Sequence, residues 1–233
     1  MGQVKVSLIE RIKRTPTIES FRFWTKESFK FIPGQFVKVL FDPANPGNKD
    51  LNKYLSLSAS PNKGYLEVTK RLSQSLFSEK LKALKPRDEL ILDGPLGNCV
   101  LHENDKQVGF LVGGIGITPV ISIMEYATEK KLAIDMELLY SSRNEEDIAF
   151  KQELDELRNI NPRIKIGYTV TESLQKDASL ISGAINKELF LERISNFKER
   201  AIYIFGPPKM VEAMQGICLE AGVLGEHIKK KVS

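Results

Sequence analysis

Apolar and polar residues alternate along much of the first hundred positions, which is the period of a half-buried β-strand. Turn-forming residues such as Pro33-Gly34 separate the alternating segments. The segments expected to form six strands are residues 4–12, 20–25, 35–41, 54–58, 65–71 and 89–92. Phe77, Leu81 and Leu84 recur at helical spacing between the last two strands. This pattern predicts a six-stranded antiparallel β-barrel with one short helix, because closure removes exposed sheet edges.

The period changes in the second half of the chain. Apolar runs recur there roughly thirty residues apart, with helical patterns between them. We expect strands at residues 108–112, 136–140, 164–170 and 201–205, and helices at residues 118–129, 148–158 and 185–194. Strand–helix alternation of this kind predicts an α/β domain with a parallel sheet. A polar connector at residues 102–107 divides the chain into a barrel domain, 1–101, and a nucleotide-binding domain, 102–233.

The composition narrows the class of protein. Of the 233 residues, 42% are hydrophobic and 27% are charged, as in a soluble globular protein. The net charge of +4 predicts no nucleic-acid partner, and residues 229–231 (Lys-Lys-Lys) are expected to form a solvated end. The longest uncharged stretch, residues 110–124, is too short to span a bilayer, so no membrane span is expected. Two isolated thiols, Cys99 and Cys218, and no apolar leader predict a cytoplasmic protein.

A glycine loop joins the first apolar run of the second half to a helical segment. Gly113, Gly114 and Gly116 come first, and Thr118-Pro119 then suits an N-cap followed by the first helical residue. Backbone N–H groups and the positive end of the helix dipole would face one point there, which suits a phosphate. A valine at Gly116 is then expected to hinder nucleotide access. The spacing is not G-x-G-x-x-G, and a tight structural turn is the alternative.

The ends of two other predicted strands carry further candidate ligand groups. Residues 141–143 (Ser-Ser-Arg) offer two hydroxyls and a guanidinium to phosphate or ribose oxygens. Residues 206–208 (Gly-Pro-Pro) end the last strand, with Met210 just beyond. The serines could instead cap a helix, and Gly-Pro-Pro could simply end a strand. Ligands bind outside the carboxyl ends of parallel strands, so the coincidence at three strand ends predicts a nucleotide crevice.

Three motifs of the second half occur in a suggestive order: residues 113–119 (Gly-Gly-Ile-Gly-Ile-Thr-Pro), 140–150 (Tyr-Ser-Ser-Arg-Asn-Glu-Glu-Asp-Ile-Ala-Phe) and 205–210 (Phe-Gly-Pro-Pro-Lys-Met). They resemble the pyridine-nucleotide domain of the ferredoxin–NADP reductase superfamily. Residues 33–36 (Pro-Gly-Gln-Phe), 53–58 (Lys-Tyr-Leu-Ser-Leu-Ser) and 92–97 (Leu-Asp-Gly-Pro-Leu-Gly) are similar to that family's flavin-binding barrel. The resemblance covers essentially the whole chain. The chain has only two cysteines, which excludes a cysteine-ligated iron–sulfur cluster within it, since such a cluster needs four thiolates; the resemblance is therefore to a short form without one.

The family's flavin signature, Arg-x-Tyr-Ser, matches residues 53–56. The resemblance implies that Lys53 holds the flavin phosphate as a point charge, without the fork of an arginine. Leu55 then stands where a tyrosine usually covers the isoalloxazine, and Ser56 could hydrogen-bond the flavin near N5, which makes it the candidate catalytic residue. In an alternative register Tyr54 itself covers the ring, which would misplace Ser56. The other flavin contacts expected in this region are Leu57, Ser58 and Lys70.

A second flavin-phosphate signature, Gly-x-x-Ser, matches residues 75–78, with a serine in place of the glycine. The contacts that this implies are Ser75, Leu76, Phe77 and Ser78. Helix capping is the alternative role of the two serines, and both roles can coexist. On the nucleotide side, Phe205 replaces a cysteine that many relatives carry. The resemblance and the strand ends together imply contacts from Gly113, Gly114, Gly116, Ile117, Thr118, Pro119, Ser141, Ser142, Arg143, Phe205, Gly206, Pro207 and Met210.

The resemblance implies a flavin-dependent oxidoreductase that transfers hydride between NADH or NADPH and a bound flavin. FAD is expected rather than FMN, and the choice of pyridine nucleotide stays open. Electrons would pass to a redox protein, such as ferredoxin or an oxygenase or hydrogenase component, or to a small acceptor. The cofactors carry this chemistry, so no acid–base pair is required. The alternatives are a non-catalytic flavin- or nucleotide-binding subunit of a larger redox complex and a reductase that uses free flavin.

Overall fold

The computed structural model describes residues 2–172 and 179–232, which form two six-stranded sheets. The strands of the first sheet are β1 (Gly2–Lys13), β2 (Ile18–Trp24), β3 (Phe36–Leu40), β4 (Asn52–Ser56), β5 (Leu66–Arg71) and β6 (Glu89–Leu96). They lie in the order β4-β3-β6-β1-β2-β5, and every neighbouring pair is antiparallel. The six strands predicted from alternation are confirmed.

The two outer strands of the first sheet, β4 and β5, meet just beyond the end of β4. An isolated bridge pairs Leu57 with Val68, and the Ser58 N–H donates to the Glu67 carbonyl at 2.8 Å. This contact nearly closes the barrel, and it covers most of the edge that an open sheet would expose. The inward-facing half of each strand fills the interior with Val, Leu and Phe side chains.

One helix, α1 (Leu76–Ala83), covers part of the barrel core. Its N-cap is Ser75, whose hydroxyl accepts a hydrogen bond from the Ser78 N–H at 3.3 Å. Phe77 is fully buried and packs edge-on against Phe41, with 5.4 Å between ring centroids. The capping role considered for Ser75 is therefore present, whereas the Phe77 ring belongs to the barrel core and cannot contact a ligand outside it.

The second sheet is entirely parallel and carries helices on both faces. Its strands are β7 (Gln107–Gly113), β8 (Asp135–Ser142), β9 (Ile164–Val170), β10 (Ile181–Ser182), β11 (Ala201–Gly206) and β12 (Ile228–Val232), in the order β10-β9-β8-β7-β11-β12. The four predicted strands are confirmed, and β10 and β12 were not predicted. The two missed strands are both at the edges of the sheet, and none of their residues is fully buried, so their apolar pattern is weaker than that of the central strands.

Strand β12 corrects the expectation of a solvated end at residues 229–231. Ile202 to Gly206 of β11 pair in register with Ile228 to Val232. Lys229 lies over the Tyr203 ring with Nζ 4.7 Å from its centroid, so its ammonium group contacts the face of the ring. Backbone pairing with β11 and this contact hold the three lysines in a regular strand despite their charge.

The second sheet and its helices form the second unit of the protein, as the barrel forms the first. These helices are α2 (Ile117–Glu129), α3 (Lys151–Ile160), α4 (Lys187–Arg193) and α5 (Pro208–Glu220). Helix α2 begins earlier than expected, because Gly116 is its N-cap and the Thr118 hydroxyl instead donates to the Ile115 carbonyl at 3.1 Å. Helix α3 begins late because Phe150 has a φ of 60°, the left-handed conformation, which a right-handed helix does not admit. No helix within the described ranges is long and apolar enough to cross a membrane.

Polar contacts join the barrel to the second sheet. The Ser122 hydroxyl of α2 donates to the Ala59 carbonyl at 2.7 Å, and the Ser60 N–H donates to Glu125 at 2.8 Å. On another side, Arg14 of the barrel forms an ion pair with Glu153 of α3. The two units therefore meet along a seam. The division at residue 101 stays a prediction, and its outer limits, residues 1 and 233, lie outside the described residues.

Candidate functional site

A cleft of about 430 Å³ opens at the carboxyl edge of the second sheet, beside the barrel. It brings together the ends of β7, β8 and β11, as the sequence predicted from their ligand-type residues. Its lining residues are Arg71, Gly113, Gly114, Ile115, Ser141, Ser142, Arg143, Asp147, Thr171, Pro207 and Met210. Arg71 comes from the barrel, so both units contribute to the cleft. Sequence reasoning missed Arg71, Ile115, Asp147 and Thr171, although Ile115 and Asp147 lay within the motifs 113–119 and 140–150.

Six residues expected at the nucleotide do not line the cleft. They are Gly116, Ile117, Thr118, Pro119, Phe205 and Gly206. Ile117 and Phe205 are buried in the core cluster of the second unit, and Thr118 and Pro119 are buried in the first turn of α2. These residues contribute to the cleft indirectly, because their packing fixes the positions of the glycine loop and of the N-terminus of α2.

The three loop glycines serve three different purposes. A Cβ on Gly116 would lie 2.5 Å from the Phe205 carbonyl oxygen, so this glycine lets the loop approach β11. A Cβ on Gly113 would overlap the Met210 sulfur. Gly114 has a φ of +52°, and among the described residues, apart from its chain neighbours, the nearest atom to its Cβ position is Arg71 Nη2 at 3.9 Å. A side chain at Gly116 would therefore collide with the β11 backbone, and Gly114 is the glycine open to the cleft.

A buried tyrosine holds the glycine loop in place. The Tyr140 hydroxyl donates to the Gly114 carbonyl at 3.0 Å and accepts from the Ala149 N–H at 3.2 Å. Burial strongly raises the pKa of Tyr140, so the hydroxyl remains protonated and can donate. The tyrosine fell inside the recognised motif of residues 140–150, but nothing in the sequence indicated its partners.

Replacing Tyr140 with phenylalanine keeps the ring and removes this hydroxyl. We expect the free energy of unfolding to fall by about 1–3 kcal/mol, because the Gly114 carbonyl and the Ala149 N–H both lose a buried partner. Urea denaturation followed by circular dichroism measures the change. Tyr126→Phe is the matched control, since the Tyr126 hydroxyl contacts exposed Glu103. An equal loss in both variants would contradict the role assigned to Tyr140.

Two arginines make the cleft electropositive. Arg71 Nη1 lies 2.8 Å from the Thr17 hydroxyl and 3.4 Å from an Asp147 carboxylate oxygen, which holds the guanidinium at the seam. The Arg143 side chain is 77% exposed, and its one ion-pair contact with the described residues is a distant one, 3.8 Å, to Glu172. Arg143 is therefore free to reorient toward an anionic ligand, whereas Arg71 is already positioned.

On the barrel, strand alternation places Tyr54 and Leu55 on opposite faces of β4. Tyr54 is 59% exposed and lies edge-on to Phe36, with 5.7 Å between ring centroids. Leu55 is only 9% exposed and belongs to the barrel core. The expectation that Leu55 covers a flavin is thus wrong, because its side chain points inward. Tyr54 and Ser56 are two residues apart and share the outer face, so placing Tyr54 on the ring does not misplace Ser56.

The next two expected contacts also turn out to be structural. Leu57 is fully buried in the barrel core. The buried Ser58 hydroxyl is 2.9 Å from a Glu67 carboxylate oxygen and 2.7 Å from the Thr69 hydroxyl. Neither side chain is available to a ligand, so only the backbone of these two residues could contribute a contact.

Positive charge gathers where β4, β5 and the start of α1 approach one another. Burial lowers the pKa of Lys70, and the neighbouring charges of Lys53 and Arg71 lower it further, as expected for cations held close together. Ser75 and Ser78 lie at the N-terminus of α1, whose N–H groups add partial positive charge. Leu76 is 52% exposed beside them. These features fit a phosphate group of a flavin cofactor.

The comparisons with known proteins agree with this two-part site. Residues 4–101 match the family described as oxidoreductase FAD-binding domain, and residues 110–216 match the oxidoreductase NAD-binding domain. Two domains of these kinds in this order define a class of flavin- and pyridine-nucleotide-binding oxidoreductases. The chain belongs to the ferredoxin–NADP reductase superfamily, as its motifs implied. The expected cofactor classes, FAD and a nicotinamide nucleotide, are confirmed at the level of these two families.

Several curated proteins are similar to this chain. NADH-cytochrome b5 reductase 2 of Pyricularia oryzae is 32% identical over 76% of the chain, and nitrate reductase [NADH] of Volvox carteri is 27% identical over 90%. The glycine betaine monooxygenase reductase subunit of Chromohalobacter salexigens is 26% identical over 97%. The chain spans 55%, 27% and 63% of these relatives' own lengths, respectively.

Solved structures share the fold at low sequence identity. The FAD/NAD-binding domain of nitric oxide dioxygenase from Vibrio cholerae superposes with a TM-score of 0.87 at 18% identity, covering 100% of this chain and 99% of that one. A ferredoxin NADP+ reductase from Neisseria gonorrhoeae with bound FAD and NADP gives a TM-score of 0.84 at 20% identity, with the same coverage. These likenesses establish the arrangement of barrel and sheet.

Proposed function

We propose that this protein is an NAD(P)H-dependent flavin oxidoreductase that passes electrons to a redox protein or a small acceptor. One observation carries the proposal: the nucleotide cleft and the outer barrel face with Tyr54 and Ser56 adjoin the same seam. Lys231 of β12 spans it, with Nζ 3.3 Å from the Ser56 hydroxyl. Ligands bound at the two places would therefore have their ring systems close together, as hydride transfer requires.

The barrel residues supply the flavin site in this proposal. Tyr54 presents an exposed aromatic ring that can stack on a flavin. The Ser56 hydroxyl can hydrogen-bond the ring edge, and the cations Lys53 and Lys70 with the N-terminus of α1 can hold the phosphates. When bound, FAD supplies the hydride acceptor and releases electrons singly, and the protein supplies alignment and exclusion of water.

The cleft supplies the nucleotide site. The Gly114 backbone can approach a phosphate without a side chain intervening, and Arg71 brings positive charge from the barrel. Exposed Arg143 follows Ser141 and Ser142 at the end of β8, where it can meet a ribose oxygen or a 2′-phosphate. NADH and NADPH both remain candidates, because each of these contacts serves either nucleotide.

For the electron acceptor we propose a separate redox protein of the ferredoxin, cytochrome b5 or oxygenase-component kind. The relatives support these classes, since they include a cytochrome b5 reductase and a monooxygenase reductase subunit. We also propose a cytoplasmic location, because both cysteines are free thiols, which a reducing compartment maintains.

Anaerobic titration tests this function. The purified chain, reconstituted with FAD, should be yellow, and its flavin absorbance should bleach when NADH or NADPH is added. Turnover with ferricyanide should follow. Bound flavin that neither nucleotide reduces would instead indicate a non-catalytic subunit. If the flavin is lost during gel filtration and turnover depends on adding it back, the protein is a free-flavin reductase. Failure to bind either FAD or FMN would overturn the proposal.

A further inference from the structure

Lys231 reaches from the second sheet to the barrel. Strand β12 pairs it with Phe205 of β11. Its ammonium nitrogen lies 3.7 Å from the centroid of the Phe36 ring and 3.3 Å from the Ser56 hydroxyl. Phe36 and Ser56 are themselves cross-strand partners in β3 and β4, so both contacts lie on the outer barrel face that also presents Tyr54.

This ammonium group has no carboxylate partner among the described residues. Lys229, in the same strand, lies 3.8 Å from Asp105, and Lys230 donates to Gln215, whereas Lys231 has only the Ser56 hydroxyl and the face of an aromatic ring. Desolvation lowers the pKa of Lys231 to about 8, opposed only by the thiol of Cys99. A half-buried cation without a counter-ion is costly, and a nearby ligand that carries negative charge relieves the cost.

On the basis of the function proposed above, we propose that Lys231 is a charge-stabilising residue for the flavin. Hydride transfer from a nicotinamide would add two electrons and one proton to the bound flavin, hence one negative charge, and would leave the nicotinamide ring cationic. The Lys231 ammonium, held beside Ser56, interacts favourably with that charge. No bond to Lys231 forms or breaks, and the lysine keeps its proton. It thereby favours the reduced over the oxidised cofactor.

Three replacements separate charge from packing. Lys231→Met keeps the stem and removes the charge, Lys231→Gln keeps a polar end for Ser56, and Lys231→Arg keeps the charge. Lys230→Met is the matched control, because Lys230 lies in the same strand but is exposed and contacts Gln215. The measurement is the two-electron midpoint potential of the bound flavin at pH 7, by anaerobic equilibration with a reference dye.

We expect Lys231→Met and Lys231→Gln each to disfavour flavin reduction at least tenfold, which lowers the midpoint potential of a two-electron couple by about 30 mV. Arg should restore the potential to near the wild-type value, and Lys230→Met should leave it unchanged. A midpoint potential in both neutral variants equal to that of the wild type would overturn the role of Lys231 while leaving the proposed function intact. Wild-type protein that binds no flavin would instead remove the proposed function. Circular dichroism identifies any variant that fails to fold, and the other neutral replacement then decides.

Discussion

Replacing Glu67 with glutamine is expected to lower the free energy of unfolding by about 3 kcal/mol, one of the two largest effects that we foresee in this protein. Glu67 is 2% exposed, and its carboxylate accepts from Arg22 Nε at 2.8 Å and from Arg14 Nη2 at 3.2 Å. The substitution removes the negative charge between two guanidinium groups. Removing one partner of a buried ion pair is costly because the remaining charge loses its compensation.

The effect should extend to the seam between the two units. Arg14 is also paired with Glu153 of α3 and lies over the Phe150 ring, 4.4 Å from its centroid. Glu67 orients Arg14 for these contacts from the barrel side. Because Arg14 retains Glu153, we place the expected loss at the lower end of the range for buried ion pairs rather than at its upper end.

The matched control for this variant is Glu89→Gln. Glu89 pairs with Lys5 at 2.8 Å, but both side chains are about half exposed or more, 51% and 65%. Solvent screens such a pair, so its loss should cost about 1 kcal/mol or less. Guanidinium denaturation of both variants, with equal m-values, measures the difference. A Glu67→Gln variant as stable as Glu89→Gln would show that the buried cluster contributes no net stability.

The second large effect distinguishes two neighbouring glycines. Alanine at Gly116 is expected to prevent the loop from packing, because its Cβ would lie 2.5 Å from a backbone oxygen of β11 that cannot easily move. Alanine at Gly114 has space, with Arg71 Nη2 at 3.9 Å, and carries only the strain of a left-handed residue, about 1–2 kcal/mol. Its methyl group would project toward the cleft and hold a phosphate away from the backbone.

We therefore expect Gly114→Ala to fold and to weaken pyridine-nucleotide binding at least tenfold, while Gly116→Ala loses cooperative thermal unfolding or melts far below the wild type. Nucleotide affinity is measured by titration of the reconstituted flavoprotein with NAD+ and NADP+, and stability by calorimetry. Unaltered affinity in Gly114→Ala would remove this glycine from the site. A stable Gly116→Ala would contradict the packing role assigned to the third glycine.

Much of the fold follows from local pattern. Alternation in the first half and strand–helix alternation in the second predicted the barrel and the parallel sheet, and the central strands agree within a few residues. Edge strand β12 was missed because three consecutive lysines outweigh its two apolar residues, Ile228 and Val232, in any local average. Hydrogen bonding to β11 makes this segment a strand although its local pattern does not predict one.

The candidate site, like the fold, was predictable from the sequence only in part. The sequence alone was enough to name the glycines, hydroxyls and arginine at the ends of the sheet strands as candidate ligand groups, because a position at a strand end is a local property. Tertiary structure alone decided that Tyr54 faces outward and Leu55 inward, since a shift of one residue exchanges the two faces of a strand. It also brought Arg71 to the cleft and Lys231 to Ser56. These contacts join residues distant in the chain, and no local pattern encodes which distant residue will lie opposite another.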